Sequence, residues 1–515
     1  MDKTKLIYKF KSVIFVIPFI FFMNVSSWAT TYYVDFNSGD NSNDGTSGSP
    51  WKEIPGTQNP TDIPSSGWVT IQAGDEIIFT AGQTWNRPVM IDSIWFANPS
   101  NESGRITLRS SSTSTRAIFD FTGVTTSYGF QVRRDYISLE YLEIRDITNA
   151  GNAHAIYIGN VDANDYVKVR YCYIHDITDS NKLPTEQFTS GITLVWSTGS
   201  EVSYNIIKNV DKKFISTSEV YSDSYKIHHN VFYNESGYSG DPMDHGIVLS
   251  GQNHKCYNNI IWNDHADQSY ASFAIKIDGD NSEGSANNNN IYNNLILKWA
   301  AGIGILDTPP SGGNNVVHNN TIYLQDKNCS GSCSGYILNG ITIGGSGDVS
   351  YNSIRNNIIY YARPNTTTNK STCMFICSAS STCSNNTITN NLCFYSASDG
   401  SDIDFRVNSN YRILSWLETN GNWNGVNGNV MENNIIANPG FMGDNHPVFN
   451  LPTGFNASGH PNNTGLNITS SSSVKDRGYP LVNSFDIRGV QRPYGSAWDI
   501  GAYEFFKQPS PPISN

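Results

Sequence analysis

The chain has 515 residues, with 33 Lys and Arg against 45 Asp and Glu, a formal charge of −12, and only 15% of its residues are charged. That length buries a large core, as several domains or as one elongated repeat. The low charge density argues against an acidic disordered protein, the negative balance against a nucleic-acid binder, and the shortage of strong helix formers beside many aromatic and β-branched residues against a helical bundle.

Lys3, Lys5, Lys9 and Lys11 precede an apolar run from Val13 to Met23, and Ser27-Trp28-Ala29 follows. This order predicts a secretory signal peptide over 1–29, cleaved after Ala29. The run is short for a membrane-spanning helix. The product is therefore expected to be secreted or held at the cell surface, with the periplasm as the other destination. Eight cysteines suit an oxidising compartment. Cys329 and Cys333 share one Gly/Ser loop, and Cys373, Cys377 and Cys383 cluster in another. Without His partners or Cys-x-x-Cys pairs these predict loop disulfides, whereas Cys172, Cys256 and Cys393 fall at strand positions and read as core residues.

One motif returns along the chain: VSYNII (202–207), IHHNVF (227–232), CYNNII (256–261), IYNNLI (291–296), VHNNTI (317–322), IRNNII (354–359), ITNNLC (388–393) and MENNII (431–436), preceded by LEYLEI (139–144) and VRYCYI (169–174) without the Asn. Their first residues form one apolar ladder, from Leu139 through Val169, Val202 and Ile227 to Met431. Their last residues form another, from Ile144 through Ile174 and Ile207 to Ile436. Two apolar positions five apart face one core only if the chain bends between them, and Asn tolerates the left-handed backbone of such a bend. Amides stacked on successive turns can then bond one another. A second strand class recurs between the copies: HAIYI (154–158), SGITL (190–194), HGIVL (245–249), FAIKI (273–277), AGIGI (301–305) and NGITI (339–343). Its outward positions are Tyr157, Thr193, Val248, Lys276, Gly304 and Thr342. The sum predicts an all-β parallel β-helix, a solenoid, over 116–440. Residues 30–115 are expected to supply the N-terminal cap and first strands. Residues 441–515 are expected to form a C-terminal module covering the last coil, with a loose tail.

Tyr32-Tyr33-Val34-Asp35, Asn43-Asp44-Gly45-Thr46, Pro50-Trp51-Lys52, Ala73-Gly74-Asp75-Glu76-Ile77-Ile78-Phe79 and the Asn repeats resemble secreted bacterial right-handed β-helix proteins of the pectate-lyase-like superfamily. The ending Asp499-Ile500-Gly501-Ala502-Tyr503-Glu504-Phe505 resembles the C-terminal module of choice-of-anchor surface proteins. A distant similarity to family 9 polysaccharide lyases centres on Asp244-His245-Gly246-Ile247-Val248-Leu249. Those enzymes carry an Asp-Asp-Gly-x-Asp-Leu strand at a calcium site and a lysine base one coil later. The resemblance implies Lys276 as that base, while His245 and Val248 stand where two calcium carboxylates would be.

β-Elimination of a uronan needs a base for the proton beside the carboxylate, a positive charge to steady the enolate, and an acid for the leaving oxygen. The candidate catalytic residues are Lys276 and His245. Asp241, Asp244, Asp278 and Asp280 are candidate ligands for Ca²⁺. Tyr157, Trp196, Tyr221, Tyr238 and His265 are candidates for contacting a polysaccharide substrate. Segments 211–224, 234–244 and 262–272 are expected as loops walling a groove around coils 190–310. Two alternatives stand beside the lyase: a glycoside hydrolase using paired Asp residues across the groove, and a non-catalytic surface adhesin or glycan-binding rod; under each reading the protein is expected to be a monomer.

Overall fold

The computed structural model describes residues 29–60, 68–159, 165–180, 188–218, 222–235, 238, 245–264, 273–279, 286–299, 301–306, 313–325, 339–344, 349–362, 372–377, 383–395, 405–407, 410–423, 425–439, 441, 468–481 and 485–505. They form a right-handed parallel β-helix with sheets of 13, 12 and 12 strands. The predicted signal segment through residue 28, Cys329, Cys333, Tyr221, Asp241, Asp244, His265 and Asp280 lie outside the described residues.

The first sheet holds the first apolar ladder in register, Leu139↔Val169↔Val202↔Ile227↔Cys256↔Ile291↔Val317↔Ile354↔Ile388↔Met431. The second sheet holds the other, Ile144 through Ile436. Between them the chain bends at one left-handed residue per coil, from Tyr141 and Tyr171 to Asn390 and Asn433, with φ of 54–58°. The next residue is an Asn on eight coils, buried at Asn205, Asn230, Asn259, Asn294, Asn320, Asn357 and Asn391 and half-buried at Asn434. Each of the first seven side-chain amides donates to the next coil's Oδ1 at 2.9–3.0 Å. A second amide ladder, not anticipated from the sequence, flanks the other end of the first sheet at Asn289, Asn315, Asn352, Asn386 and Asn429. In-register amides satisfy the turn backbone where no water reaches, which fixes the rung-to-rung register.

The structure revises the ends and one loop. The segment expected as a loop at 211–224 contains a third-sheet strand, Lys213–Ser218, so one more coil lies between 190–195 and 245–250. The last coil is closed by the short helix Leu414–Glu418. Leu414, Leu417 and Trp423 enter the core there, and Glu418 accepts the final amide of the first ladder from Asn434. The 468–505 segment instead runs along the flank of the solenoid. Ile487, Ala502 and Tyr503 cover the outward side chains Val231, Ile260, Leu295 and Tyr360 of the second sheet, and Val474 and Ile500 cover Ile358 and Leu392. The bend asparagines Asn293, Asn319, Asn356 and Asn390 donate to its carbonyls at Phe485, Asp499 and Gly501, Tyr479 and Arg477. An outward apolar stripe needs such a cover, and left-handed Asn side chains pointing off the bend hold it.

Among the described residues two disulfides are present, Cys377–Cys383 and Cys373–Cys393. The first keeps within the predicted loop cluster. The second corrects the reading of Cys393 as a plain core residue: it holds an inward position of the second-sheet ladder, Cys373 is inward on the third sheet, and both belong to the one interior cluster. Cys172 and Cys256 are buried thiols, as their strand positions indicated, and burial pushes Cys172 up to about 12.

Candidate functional site

The third sheet presents the rows read as outward from the sequence. In register they run Gln131↔Tyr157↔Thr193↔Ser216↔Val248↔Lys276↔Gly304↔Thr342↔Phe375↔Arg406. A local irregularity opens each strand. Ala155 and Ile156 both pack into the core, so His154 and Tyr157 emerge on the same outer side, their rings 5.2 Å apart. A second outward row therefore runs beside the first as His154↔Ser190↔Lys213↔His245.

At the N-terminal end these rows open into a cavity of about 620 Å³. Its walls include Tyr128, Gln131, Arg133, Asn152, His154, Tyr157, Phe188, Thr193, Trp196 and Ser216. Tyr157 and Trp196, both predicted to contact substrate, meet here. Trp196 sits in left-handed backbone at φ 50°, a conformation that costs a bulky residue about 1–3 kcal/mol. Phe188 is 62% exposed at the rim. His154 forms part of the floor: Nδ1 lies 2.9 Å from Thr193 Oγ1 and 3.1 Å from Ser190 Oγ, and Nε2 2.6 Å from Asn152 Oδ1. Burial drives its pKa down to about 3, with Lys213 pushing the same way. A neutral ring that donates to Asn152 and accepts from the hydroxyls satisfies this geometry. Arg133 is the one formally charged side chain of the lining, no carboxylate accompanies it, and among the described residues it forms no ion pair. Its Nε and the Oε1 of Gln131 are buried without hydrogen-bond partners.

Lys276 lies on the same row as Tyr157, four rungs along, which at strand spacing is about 19 Å. Its Nζ pairs with Asp278 Oδ2 at 2.6 Å, both side chains about four-fifths buried. His245 stacks on Phe273, the residue that opens the next strand, and its Nδ1 accepts the Phe273 backbone N–H at 3.2 Å. His245 and Lys276 thus occupy adjoining rows on adjoining coils. The predicted contact residue Tyr238 is placed differently. Its hydroxyl donates to Asp211 at 2.8 Å, and burial, then the Asp211 charge, raises its pKa far above the usual phenol range. Tyr238 is bonded to the solenoid and does not line the cavity.

The fold resemblance implies calcium. Asp278, the one described residue of the four candidate ligands, has a carboxylate oxygen committed to Lys276, and no group of three metal-ligating side chains occurs among the described residues. The described residues do not fit a Ca²⁺ site.

Gln131, Arg133, His154 and Phe188 were missed from the sequence. His154 opens HAIYI as His245 opens HGIVL, and that shared His-x-Ile start was the available signal. Gln131 and Arg133 sit in a coil that precedes the Asn repeats and offers no such signal.

No protein-family model matches the chain, and no curated protein matches it. Among solved structures, pectate lyase Pel9A is similar at 18% identity over 92% of this chain and 96% of that one, with a TM-score of 0.47. The GH136 lacto-N-biosidase from Eubacterium ramulus is similar at 11% identity over 79% of this chain and 68% of that one, with a TM-score of 0.44. The PL6 family polysaccharide lyase Pedsa3628 from Pseudopedobacter saltans is similar at 13% identity over 71% of this chain and 89% of that one, with a TM-score of 0.43.

Proposed function

We propose that this chain is an exported carbohydrate-active protein that cleaves a uronic-acid-containing polysaccharide by β-elimination, with the glycan lying along the outward rows of the third sheet. The observation that carries the reading is the continuity of one face. A cavity walled by Tyr128, Tyr157 and Trp196 and the Lys276–His245 pair of coils occupy the same in-register rows. Aromatic faces suit the apolar faces of sugar rings. Export agrees with two disulfides, which persist in oxidising compartments.

In the proposed step the Lys276 amine takes the proton from the carbon next to the carboxylate. The released electron pair forms the carbon–carbon double bond as the glycosidic C–O bond breaks, and the leaving oxygen takes a proton, for which His245 is the proposed donor. Lys213, in register with His245, brings positive charge to the same rows. The test is the appearance of ultraviolet-absorbing unsaturated ends on polygalacturonate, alginate or rhamnogalacturonan, and their loss in Lys276→Ala. New reducing ends without unsaturation would replace the lyase by a hydrolase. A non-catalytic glycan-binding reading is favoured by one observation: Lys276 and His245 already engage Asp278 and the Phe273 backbone. Binding without cleavage of any of the three polymers would establish it.

A further inference from the structure

The cavity holds a chemical selectivity that the elimination step does not use. Its one cation, Arg133, sits among neutral groups on a chain whose net charge is −12. Seven of the described arginines pair with a carboxylate, namely Arg87, Arg105, Arg109, Arg145, Arg170, Arg488 and Arg492, and Arg116, Arg355 and Arg406 lie over aromatic rings. Arg133 has no carboxylate partner among the described residues, and its Nε is buried without an acceptor. Gln131, only 8% exposed, lines the same cavity with an amide oxygen that has no donor. Burying polar atoms without partners is costly, so unpaired groups concentrated at one concave site point to a ligand that completes them. That ligand has to be anionic to meet the guanidinium, and hydroxylated to meet an amide, Thr193 and Ser216. It also needs an apolar face to lie against Tyr128 and Trp196.

We propose that this cavity is a carboxylate-reading subsite for one uronate residue of a glycan, with Arg133 receiving the carboxylate through its planar fork and Gln131 binding ring hydroxyls beside it. His154 is a positioning residue. Its neutral ring, held by Asn152 and Thr193, fixes the floor without adding a second charge, so the site counts a single negative group. Gln131 stands five rungs from Lys276, so the subsite sets the register of a long acidic chain and leaves the bond-breaking centre to the other coils. It rests on the reading of this face as a glycan groove, and it is tested apart from the cleavage reaction.

The experiment is calorimetric titration of the mature protein, and of Arg133→Gln, Arg133→Lys and Lys276→Ala, with oligogalacturonate and oligoalginate. The same oligomers with their carboxylates reduced to alcohols serve as the neutral comparison. One charged hydrogen bond predicts a loss of about 10-fold to 100-fold in affinity for the acidic oligomer in Arg133→Gln. Arg133→Lys is expected to recover part of that loss, and the reduced oligomers to bind wild type and Arg133→Gln alike. Lys276→Ala is expected to keep carboxylate-dependent binding while losing any cleavage. Equal wild-type affinity for acidic and reduced oligomers, no measurable wild-type binding of either acidic oligomer, or unchanged affinity in Arg133→Gln would each overturn the subsite. If no oligomer is cleaved and the Arg133 effect persists, the elimination reaction fails and the subsite stands. Circular dichroism that matches wild type shows that Arg133→Gln reports binding and not misfolding.

Discussion

Removing one amide from the middle of the first ladder tests what holds the rungs in register. Asn320 is fully buried. Its Oδ1 accepts from the backbone N–H and the side-chain amide of Asn294, each at 3.0 Å. Its Nδ2 donates to Ile291 O, His318 O and Asn357 Oδ1 at 2.9–3.1 Å. Asn320→Ala leaves the Asn294 backbone N–H and one of its two amide N–H groups without an acceptor in a dry turn, while the other amide N–H keeps Cys256 O at 2.8 Å. At about 1–3 kcal/mol for each orphaned buried group, the expected destabilisation is about 2–6 kcal/mol, above the typical point substitution of about 1 kcal/mol. Asn434→Ala, at the partly exposed end of the same ladder, lets water replace the lost bonds and is expected to cost no more than about 1 kcal/mol.

The assay is urea unfolding joined to native-state hydrogen exchange, because a solenoid loses rungs locally and a single transition averages them. Asn320→Ala is expected to lower the midpoint and to speed exchange first in the strands Asn290–Tyr292, Val316–His318 and Ser353–Arg355, which flank the gap. Equal midpoints for the two variants, with unchanged exchange in those three strands, would refute the claim that the amides carry the register.

Four further outcomes follow from the same geometry. Ile322→Asp puts an unpaired carboxylate at a fully buried rung and is expected to unfold or truncate the solenoid, whereas Ile322→Val is expected to cost about 0.5–1.5 kcal/mol by thermal melting. Peptide mapping without reduction is expected to recover Cys373 joined to Cys393 and Cys377 joined to Cys383, and a Cys373–Cys383 or Cys373–Cys377 peptide would contradict the interior bridge. Burial raises the Glu504 carboxyl to about 7 despite the opposing charge of Arg492. The folded state then holds a proton that the unfolded state releases above its lower pKa, so docking of 485–505 is expected to weaken as pH rises from about 4.5 to 7; proteolysis of that segment at pH 5 and pH 7 reads this out, and Glu504→Gln is expected to flatten the dependence. Replacing Tyr238 by Phe is expected to lower the melting temperature without altering glycan binding, since its hydroxyl bonds Asp211 and does not line the cavity.

Most of the fold was legible because its repeat is written in residues that cannot move. The ten motif copies place ten of the 13 rungs of the first sheet and ten of the 12 of the second, and the structure keeps their register from Leu139 to Met431. The second amide ladder was also on the page, since Asn289, Asn315, Asn352, Asn386 and Asn429 each stand five residues before a member of the first. A three-residue strand bounded by two bends gives that spacing. The strand Lys213–Ser218 was hidden because KFISTS carries charge and hydroxyls where its neighbours are apolar. The site was less legible. Tyr157 and Trp196 were found as outward aromatics, but Arg133 and Gln131 become partners of Tyr157 only through the pairing of Gln131 with Tyr157 one coil later. His154 turns outward only because Ala155 and Ile156 both turn in, which breaks the alternation on which a sequence reading depends.

The placement of the candidate groove follows from what the other two faces already do. The second sheet's outward residues Val231, Ile260, Leu295, Ile358 and Leu392 pack against residues 468–505, so from the coil of Val231 onward that face is closed by the chain itself. The first sheet has mostly three-residue strands, and their outer surface is filled by stacked rings, His228–Tyr257–Tyr292–His318, and by the cross-rung pairs Arg109–Glu76 and Arg170–Glu140. Rings that stack on one another offer only their edges, and the paired charges already meet one another. The third sheet differs in both respects. Its strands reach six residues, its outward row changes chemistry at nearly every rung, and its cavity holds the unpaired Gln131 Oε1 and Arg133 Nε beside half-buried aromatic side chains. Self-similar rungs stabilise a solenoid through identical neighbours, so a row that forgoes repetition gives up stacking that the other faces retain. Such a departure from the repeat, confined to one face of a fold otherwise built on repetition, is what a surface shaped by a ligand would show.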